Sequence, residues 1–183
     1  MLETDRCLLK LLSQQDALSV YEFYESNKDI FDPWEPKKPL NYYTLSYIRA
    51  ILNAERKLRL QSKLVRWFVY EKNNPSKIIG TVCFNYIISH PIRTCQIGYK
   101  FDRHYHGLGY AYEAAMKSIE YMFFRYHLQQ IEATVCPSNK ASISLLNKLG
   151  FDDSYSSFIP IEICGVLSNH KKYVLMPNKK ELS

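Results

Sequence analysis

Apolar residues recur along this chain with two different periods, and each period predicts one kind of secondary structure. Spacings of three and four residues over positions 44–63, 111–126 and 139–149 predict three amphipathic helices. Ser13 and Asp16 have the spacing of a capping box, which predicts the start of a further helix near the N-terminus. We therefore expect four helices.

Short runs rich in β-branched, aromatic and other apolar residues predict the strands. They occupy positions 6–12, 65–71, 77–88, 94–101, 130–136, 158–163 and 173–175. The proline-rich residues 31–39 predict a loop, and residues 73–76, which read Asn-Asn-Pro-Ser, predict a hairpin connection. Helices and strands in this order predict an α+β fold, with mixed α/β character and helices on both faces of one sheet.

The composition narrows the class of protein without deciding its function. A chain of 183 residues with 46% hydrophobic residues can bury a core, and its length predicts a single domain over residues 1–183. A net charge of +6 favours anionic partners and suits both an enzyme for an anionic substrate and a nucleic-acid-binding module. The Lys and Arg residues are dispersed rather than gathered in a dense stripe, which argues against the nucleic-acid module.

Cysteine usage and the N-terminus bear on the cellular compartment. The five cysteines are odd in number and lack a Cys-x-x-Cys spacing, so we expect reduced thiols rather than disulfides or a zinc site. The N-terminus is acidic where a signal peptide would be basic, and no segment resembles a charge-free membrane span. These features predict a cytoplasmic protein with no membrane partner and no metal.

The most informative segment joins the strand that ends at Phe101 to the helix that follows. Two closely spaced glycines, Gly107 and Gly109, lie between an extended run and an apolar-periodic helix. Backbone N–H groups at a helix N-terminus form a binding site for phosphate when small residues let the ligand approach. This position favours a phosphate-binding loop over a purely structural turn.

Residues 106–111, which read His-Gly-Leu-Gly-Tyr-Ala, resemble the Gln/Arg-x-x-Gly-x-Gly/Ala pyrophosphate loop of the GNAT acetyltransferases. His106 replaces the usual Gln or Arg. Residues 110–114 narrow the likeness to the Rim-type branch, which acetylates the N-termini of ribosomal proteins. Residues 139–151 resemble the family's Asn-x-x-Ser motif with its closing Lys-x-Gly-Phe, and Asn139 also fits as a helix N-cap. Glu113 recurs in the Rim-type pattern, where we expect it to order the helix start.

The resemblance covers essentially the whole chain and implies a fold and a donor substrate. The fold would be a mostly antiparallel twisted sheet with a splayed parallel pair. The donor would be acetyl-CoA, a co-substrate whose pantetheine arm runs beside the strand before the glycine loop. The implied acetyl-CoA-binding residues are Tyr99, Lys100, Phe101, His106, Gly107, Leu108, Gly109, Tyr110, Ala111, Asn139 and Ser142.

The catalytic residues depart from the family pattern at two positions. Gln96 stands where relatives often carry a glutamate base, and Leu146 stands where many place a tyrosine acid. The resemblance puts the Ser142 hydroxyl near the CoA sulfur, and we assign it hydrogen-bonding or water-positioning work. Glu162 is the best substitute base, since a carboxylate among apolar neighbours can have a raised pKa. Its alternative is an outward-facing strand residue.

Without a strong catalytic base, the enzyme is restricted in which amines it can use as acceptor. A protein α-amine has a pKa of about 7.7–8.0 and is partly neutral near pH 7, whereas a lysine side chain has a pKa of about 10.4. We therefore expect an N-terminal α-amine as acceptor. A small amine, namely a polyamine, an aminoglycoside or an amino acid, is the alternative, and a non-catalytic CoA- or nucleic-acid-binding module is a further one.

The acceptor cleft is implied by the same resemblance. Phe31, Trp34 and Tyr42 lie in the segment that lines this cleft in relatives, and lid packing is their alternative role. A homodimer is compatible with these expectations.

Overall fold

The computed structural model describes residues 1–153, 158–163 and 166–177. Within these residues, strands and α-helices follow the chain in an order close to the expected one. They are β1 Leu2–Glu3, β2 Cys7–Lys10, α1 Ala17–Ser26, α2 Lys28–Phe31, α3 Leu45–Leu60, β3 Val65–Glu71, β4 Asn74–Ile88, β5 Thr94–Phe101, α4 Tyr110–Tyr126, β6 Gln130–Val135, α5 Lys140–Lys148, β7 Phe158–Ile163 and β8 Val166–Leu175.

These strands form one sheet in the order β1-β2-β3-β4-β5-β6-β8-β7. Neighbouring strands are antiparallel except β5 and β6, which are parallel and joined by the crossover helix α4. Their ladder consists of three pairs and ends at Gln96 opposite Glu132, although β5 continues to Phe101 and β6 to Val135. The two strands therefore separate toward their C-terminal ends. The predicted mixed α/β fold with a splayed parallel pair is confirmed.

Both faces of the sheet are buried under helices, because side chains alternate between the two faces of each strand. One face packs against α4 and α5 in a core that includes Trp67, Phe84 and Met122. The other face packs against α1, α2 and α3, where Ile48 and Phe68 are fully buried. Each large apolar side chain buried in this way stabilises the fold by about 1.5–3 kcal/mol.

Polar residues at the predicted positions begin the helices. Ser13 and Asp16 form the expected capping box, which opens a 3-10 turn that leads into α1. The Thr44 hydroxyl accepts from the Tyr47 amide at 3.3 Å at the start of α3. Asn139 accepts from a first-turn amide at the start of α5, so its N-cap role is confirmed. Such caps contribute about 1 kcal/mol each.

The predicted hairpin between β3 and β4 is present, but its turn does not lie at residues 73–76. Strand β4 begins at Asn74, which pairs with Glu71, so the turn consists of residues 72 and 73. The next pair joins Tyr70 to Ile78, and the extra residues of β4 form an irregularity that contains Pro75. A proline is tolerated there because no ladder hydrogen bond is required of its nitrogen.

Other helix and strand boundaries differ from the prediction because of local turn geometry and contacts between distant segments. Strand β8 begins at Val166 rather than at position 173, because pairing with β7 holds its polar first half extended. Helix α2 and a 3-10 turn at Asp32–Trp34 occupy the start of the predicted loop, with Pro33 in the first turn, where its missing N–H costs nothing. No helix among the described residues is long and apolar enough to cross a membrane.

Candidate active site

The loop between β5 and α4 is held by its own side chains. Asp102 accepts from the His104 amide at 2.9 Å and so begins a 3-10 turn at Arg103–Tyr105. The His106 ring donates from Nε2 to the Phe101 carbonyl oxygen at 2.8 Å, which ties the loop to the end of β5. The His106 side chain therefore shapes the loop, a role that the resemblance alone did not indicate.

The two glycines adopt left-handed conformations that other residues rarely take. Gly107 has φ +75° and Gly109 has φ +86°. Gly109 is the N-cap of α4, and within the described chain no side chain caps this helix start. The first amides of α4, from Tyr110 onward, therefore lack an intrahelical acceptor. Such a cradle of amides at a positive helix end fits the diphosphate of a coenzyme.

An N-terminal brace, formed by Thr4, Arg6 and Glu113, holds this helix start. Thr4 donates to Glu113 Oε1 at 2.5 Å, and the Arg6 guanidinium donates to Glu113 Oε2 at 2.7 Å and to the Leu108 carbonyl at 3.0 Å. Burial opposes ionisation of Glu113, but the hydrogen bonds from Thr4 and Arg6 outweigh it and lower the pKa of this carboxyl. Glu113 therefore orders the start of α4, as expected from the sequence.

Arg6 is a functional candidate that sequence reasoning left out of the site. Its guanidinium lies over the Tyr110 ring, 4.5 Å from the centroid, and its Nη2 lies 3.2 Å from the position of a Cβ built on Gly109. Its side chain is 45% exposed, so a positive charge remains accessible beside the amide cradle. The signal in the sequence was the Thr-x-Arg spacing at the N-terminus.

The edge of β5 that faces the opening offers its main chain rather than its side chains. The Phe101 ring packs in the core directly over Gly80, where a Cβ would lie 2.3 Å from the ring. A Cβ built on Gly98 meets nothing within 4 Å, so space is open above this residue. An extended ligand arm can pair with such an edge through backbone hydrogen bonds.

Tyr99 and Ser142, both named from the sequence as acetyl-CoA-binding residues, meet across the opening. The Tyr99 hydroxyl lies 2.8 Å from Ser142 Oγ and donates to the Ser142 carbonyl oxygen at 3.1 Å. Asn139 Oδ1 accepts from the Ser142 amide at 3.0 Å. Burial raises the pKa of Tyr99 to about 12, although the bond with Ser142 opposes the rise. The phenol is thus neutral at every physiological pH.

Lys100 projects to the opposite face of β5. Its ammonium forms an ion pair with Glu35 and lies 5.1 Å from the Tyr24 ring centroid. Glu35 also pairs with Lys38 at 2.8 Å, and Lys38 contacts Asp32. Burial would raise the pKa of Glu35, but the two lysines outweigh it and lower this pKa. The Lys100 side chain therefore braces the loop that precedes α3.

The three predicted acceptor-binding aromatics have different surroundings. Phe31 is buried in the core beside Phe23, with ring centroids 5.5 Å apart. Tyr42 is half-buried and packs edge-on against Tyr43 at 5.0 Å. Trp34 is 44% exposed, so it is the member of this set that presents a large apolar surface to a ligand.

Gln96 and Glu162 do not lie together. Gln96 donates from Nε2 to Thr134 Oγ1 at 2.8 Å, which bridges β5 and β6 just beyond their last backbone pair. Glu162 is exposed on β7, the outermost strand, opposite Leu167. Three strand spacings of about 4.8 Å put β7 roughly 14 Å from β5. The catalytic role of Glu162 stays a prediction.

The sheet opens between two parallel strands, and an uncapped helix N-terminus with two left-handed glycines lies at the open end. This combination defines a class of CoA-dependent acyltransferases. Residues 6–152 match the family model of the acetyltransferase (GNAT) domain, and the chain belongs to this family. It is therefore an enzyme that transfers an acyl group from acetyl-CoA to an amine. No group of three or more potential metal ligands occurs among the described residues.

Individual relatives are similar over most of their length. The chain is 28% identical over 151 residues to the [ribosomal protein uS5]-alanine N-acetyltransferase of Escherichia coli. This alignment covers 82% of this chain and 77% of that protein. The ribosomal-protein-S5-alanine acetyltransferase of Vibrio fischeri superposes with a TM-score of 0.90 at 26% identity, covering 97% of both chains. Mycobacterium smegmatis RimJ, solved with CoA-disulfide, has a TM-score of 0.86 at 20% identity, covering 96% of this chain and 83% of that one.

Proposed function

We propose that the chain acetylates the N-terminal α-amine of a protein, with a ribosomal protein as the acceptor class, by direct transfer in a ternary complex. Two relatives that act on the alanine of ribosomal protein S5 support this acceptor class. A cytoplasmic setting belongs to the same proposal, because ribosomal proteins are its acceptors. A homodimer stays a prediction that light scattering would test.

The observation that carries the acceptor choice is the carboxamide of Gln96, fixed by its bond to Thr134. An amide cannot accept a proton from an ammonium group, so the acceptor must arrive largely neutral by its own chemistry. At pH 7.5, about a third of α-amines but only about 0.1% of lysine side chains are neutral, given pKa values of about 7.8 and 10.4. This difference of several hundredfold favours a protein N-terminus.

The donor would be held by main-chain groups. The diphosphate would lie on the amides of the loop from Gly107 to Ala111, with Leu108, Gly109 and Tyr110 between them, and Arg6 would add a positive charge beside it. The pantetheine arm would run along the free edge of β5 at Tyr99, Lys100 and Phe101. The bound donor supplies an activated acetyl thioester.

The groups at the reacting end would be few. The open space above Gly98 leaves room for the acetyl group, and the Ser142 hydroxyl would lie near the sulfur. The exposed ring of Trp34 and the half-buried Tyr42 would contact the acceptor, while Phe31 would support their loop from the core. Glu162 would take up the released proton if β7 borders the acceptor path.

Acceptor profiling tests the proposal. Peptides that begin with Ala or Ser, the same peptides with a blocked N-terminus and one internal lysine, and a panel of polyamines, aminoglycosides and amino acids would be compared by kcat/KM. We expect the free N-terminal peptides to exceed the blocked peptides by at least about 100-fold, from the pKa difference above. A polyamine or aminoglycoside that exceeds every peptide would replace the proposed acceptor with a small amine.

A further inference from the structure

A contact between a strand and a helix links the two sides of the opening in the sheet. Tyr99 belongs to β5 beyond the last pair of the β5/β6 ladder, and Ser142 belongs to the first turn of α5, which follows β6 directly. Their side-chain oxygens are 2.8 Å apart. The hydrogen bond therefore spans the gap in which the proposed function places the reacting end of the donor.

Counting hydrogens limits how the protons in this contact can be arranged. A phenol carries one hydrogen, and the Ser142 carbonyl, 3.1 Å from the Tyr99 hydroxyl, can only accept. The Tyr99 hydrogen is thus directed at the Ser142 carbonyl, and either hydroxyl can donate across the contact between Tyr99 and Ser142 Oγ. Within residues 1–153, 158–163 and 166–177, Ser142 Oγ has no other hydrogen-bond partner. In the arrangement that the proposal requires, the carbonyl and Oγ share the Tyr99 hydrogen, and the serine hydrogen is directed at a third group.

Two further contacts fix the geometry. The Asn139 side chain holds the Ser142 amide at 3.0 Å, so the serine backbone cannot turn away from Tyr99. The Tyr99 ring is part of the wall of the core under α4 and α5. Because the pKa of the phenol is about 12, the phenol remains a neutral hydrogen-bond donor over the whole pH range in which a thiol ionises.

We propose that Tyr99 is a positioning residue that directs the Ser142 hydroxyl hydrogen at the sulfur leaving the acetyl group, an inference that rests on the proposed function. In this step the acceptor nitrogen bonds to the acetyl carbon, and the carbon–sulfur bond breaks with its electron pair on sulfur. The nitrogen gives one proton to solvent, directly or through Glu162, and the sulfur takes one from solvent after release. The serine hydrogen bond stabilises the sulfur anion while it carries charge.

Binding measurements test the positioning role of Tyr99 without turnover. The pKa of the thiol of bound CoA would be followed by the ultraviolet absorbance of the thiolate in wild type, Tyr99→Phe, Ser142→Ala and Tyr86→Phe. Tyr86 is 72% exposed and serves as the matched control. We expect the bound thiol in wild type to titrate about one unit below free CoA measured in the same buffer, and each of Tyr99→Phe and Ser142→Ala to remove that shift. An unshifted thiol in wild type, or a shift retained in Tyr99→Phe, would overturn the proposal.

Kinetics distinguish positioning from a general packing role. Tyr99→Phe should lower kcat by about 10- to 100-fold with little change in KM for acetyl-CoA, as expected for loss of one hydrogen bond to a charged group. The double variant with Ser142→Ala should be no slower than Ser142→Ala alone, and Ser142→Thr should retain most activity. Fully additive losses would refute the role of Tyr99. A wild-type enzyme that binds CoA but acetylates no amine would instead overturn the proposed function.

Discussion

Replacing Gly109 by valine tests the amide cradle at the start of α4. Gly109 has φ +86°, a conformation that costs a β-branched residue about 1–3 kcal/mol. Its Cβ would also approach Arg6 Nη2 at 3.2 Å, a flexible side-chain end that can move aside. The backbone would relax toward negative φ and turn the first amides of α4 away from the loop.

The expected loss of affinity follows from what those amides supply. A charged acceptor gains about 1.5–3 kcal/mol from one hydrogen bond and about 0.3–1 kcal/mol per charge from the helix end. Losing one amide contact and the helix alignment would therefore weaken CoA binding by about 2–4 kcal/mol, or roughly 30- to 900-fold in Kd. The same substitution should leave the fold intact, since domains are stable by about 5–15 kcal/mol.

Calorimetry with CoA and with pantetheine, which lacks the diphosphate, measures this effect. Gly150→Val is the matched control, because Gly150 has φ +85° and a built Cβ lies no closer than 3.6 Å to Leu175. We expect Gly109→Val to lose affinity for CoA but not for pantetheine, and Gly150→Val to keep both. A Gly109→Val protein that is folded and binds CoA within threefold of wild type would refute the assigned phosphate contact.

Three further substitutions test other parts of the site. Glu113→Gln should lower the melting temperature at pH 7, because the folded pKa of Glu113 is lowered and the ionised carboxylate stabilises the fold. Melting curves against pH should show this difference shrinking as the pH falls below the ordinary glutamate pKa and vanishing below the lowered pKa of the folded state. Gln96→Glu should add an ionisable group beside Thr134 and raise kcat/KM for lysine-containing peptides relative to α-amines, with equal relative rates counting against the acceptor argument. Glu162→Gln should remove the acidic limb of the pH–rate profile, where a carboxylate base would become protonated, and an unchanged profile would exclude Glu162 as the base.

Local signals in the sequence predicted the parts of the site that depend on neighbouring residues. The glycine loop follows from a strand, two glycines and a periodic helix within one segment, and Asn139 caps α5 as its position before a helix indicates. The parallel pair and its separation came from the family resemblance rather than from periodicity. The register and the separation of the strands depend on pairing between distant segments, and this pairing cannot be deduced from a single sequence.

Contacts between distant residues could not be predicted. Thr4 reaches Glu113 over 109 positions and Tyr99 reaches Ser142 over 43, and each contact is fixed by how strands and helices pack rather than by spacing. The orientation of Lys100 toward Glu35 has the same origin, because side chains alternate along β5 and only the fold decides which face lies under the loop. Family motifs identified these residues without indicating their partners.

The preference for an N-terminal α-amine is tested most directly by one peptide that carries two amines. The peptide begins with a free alanine, contains one lysine, and is incubated with acetyl-CoA and the full chain before fragmentation by mass spectrometry locates the acetyl group. We expect acetylation at the α-amine, with release of one equivalent of CoA. Acetylation at the lysine, or no acetylation by a protein that binds acetyl-CoA, would contradict it.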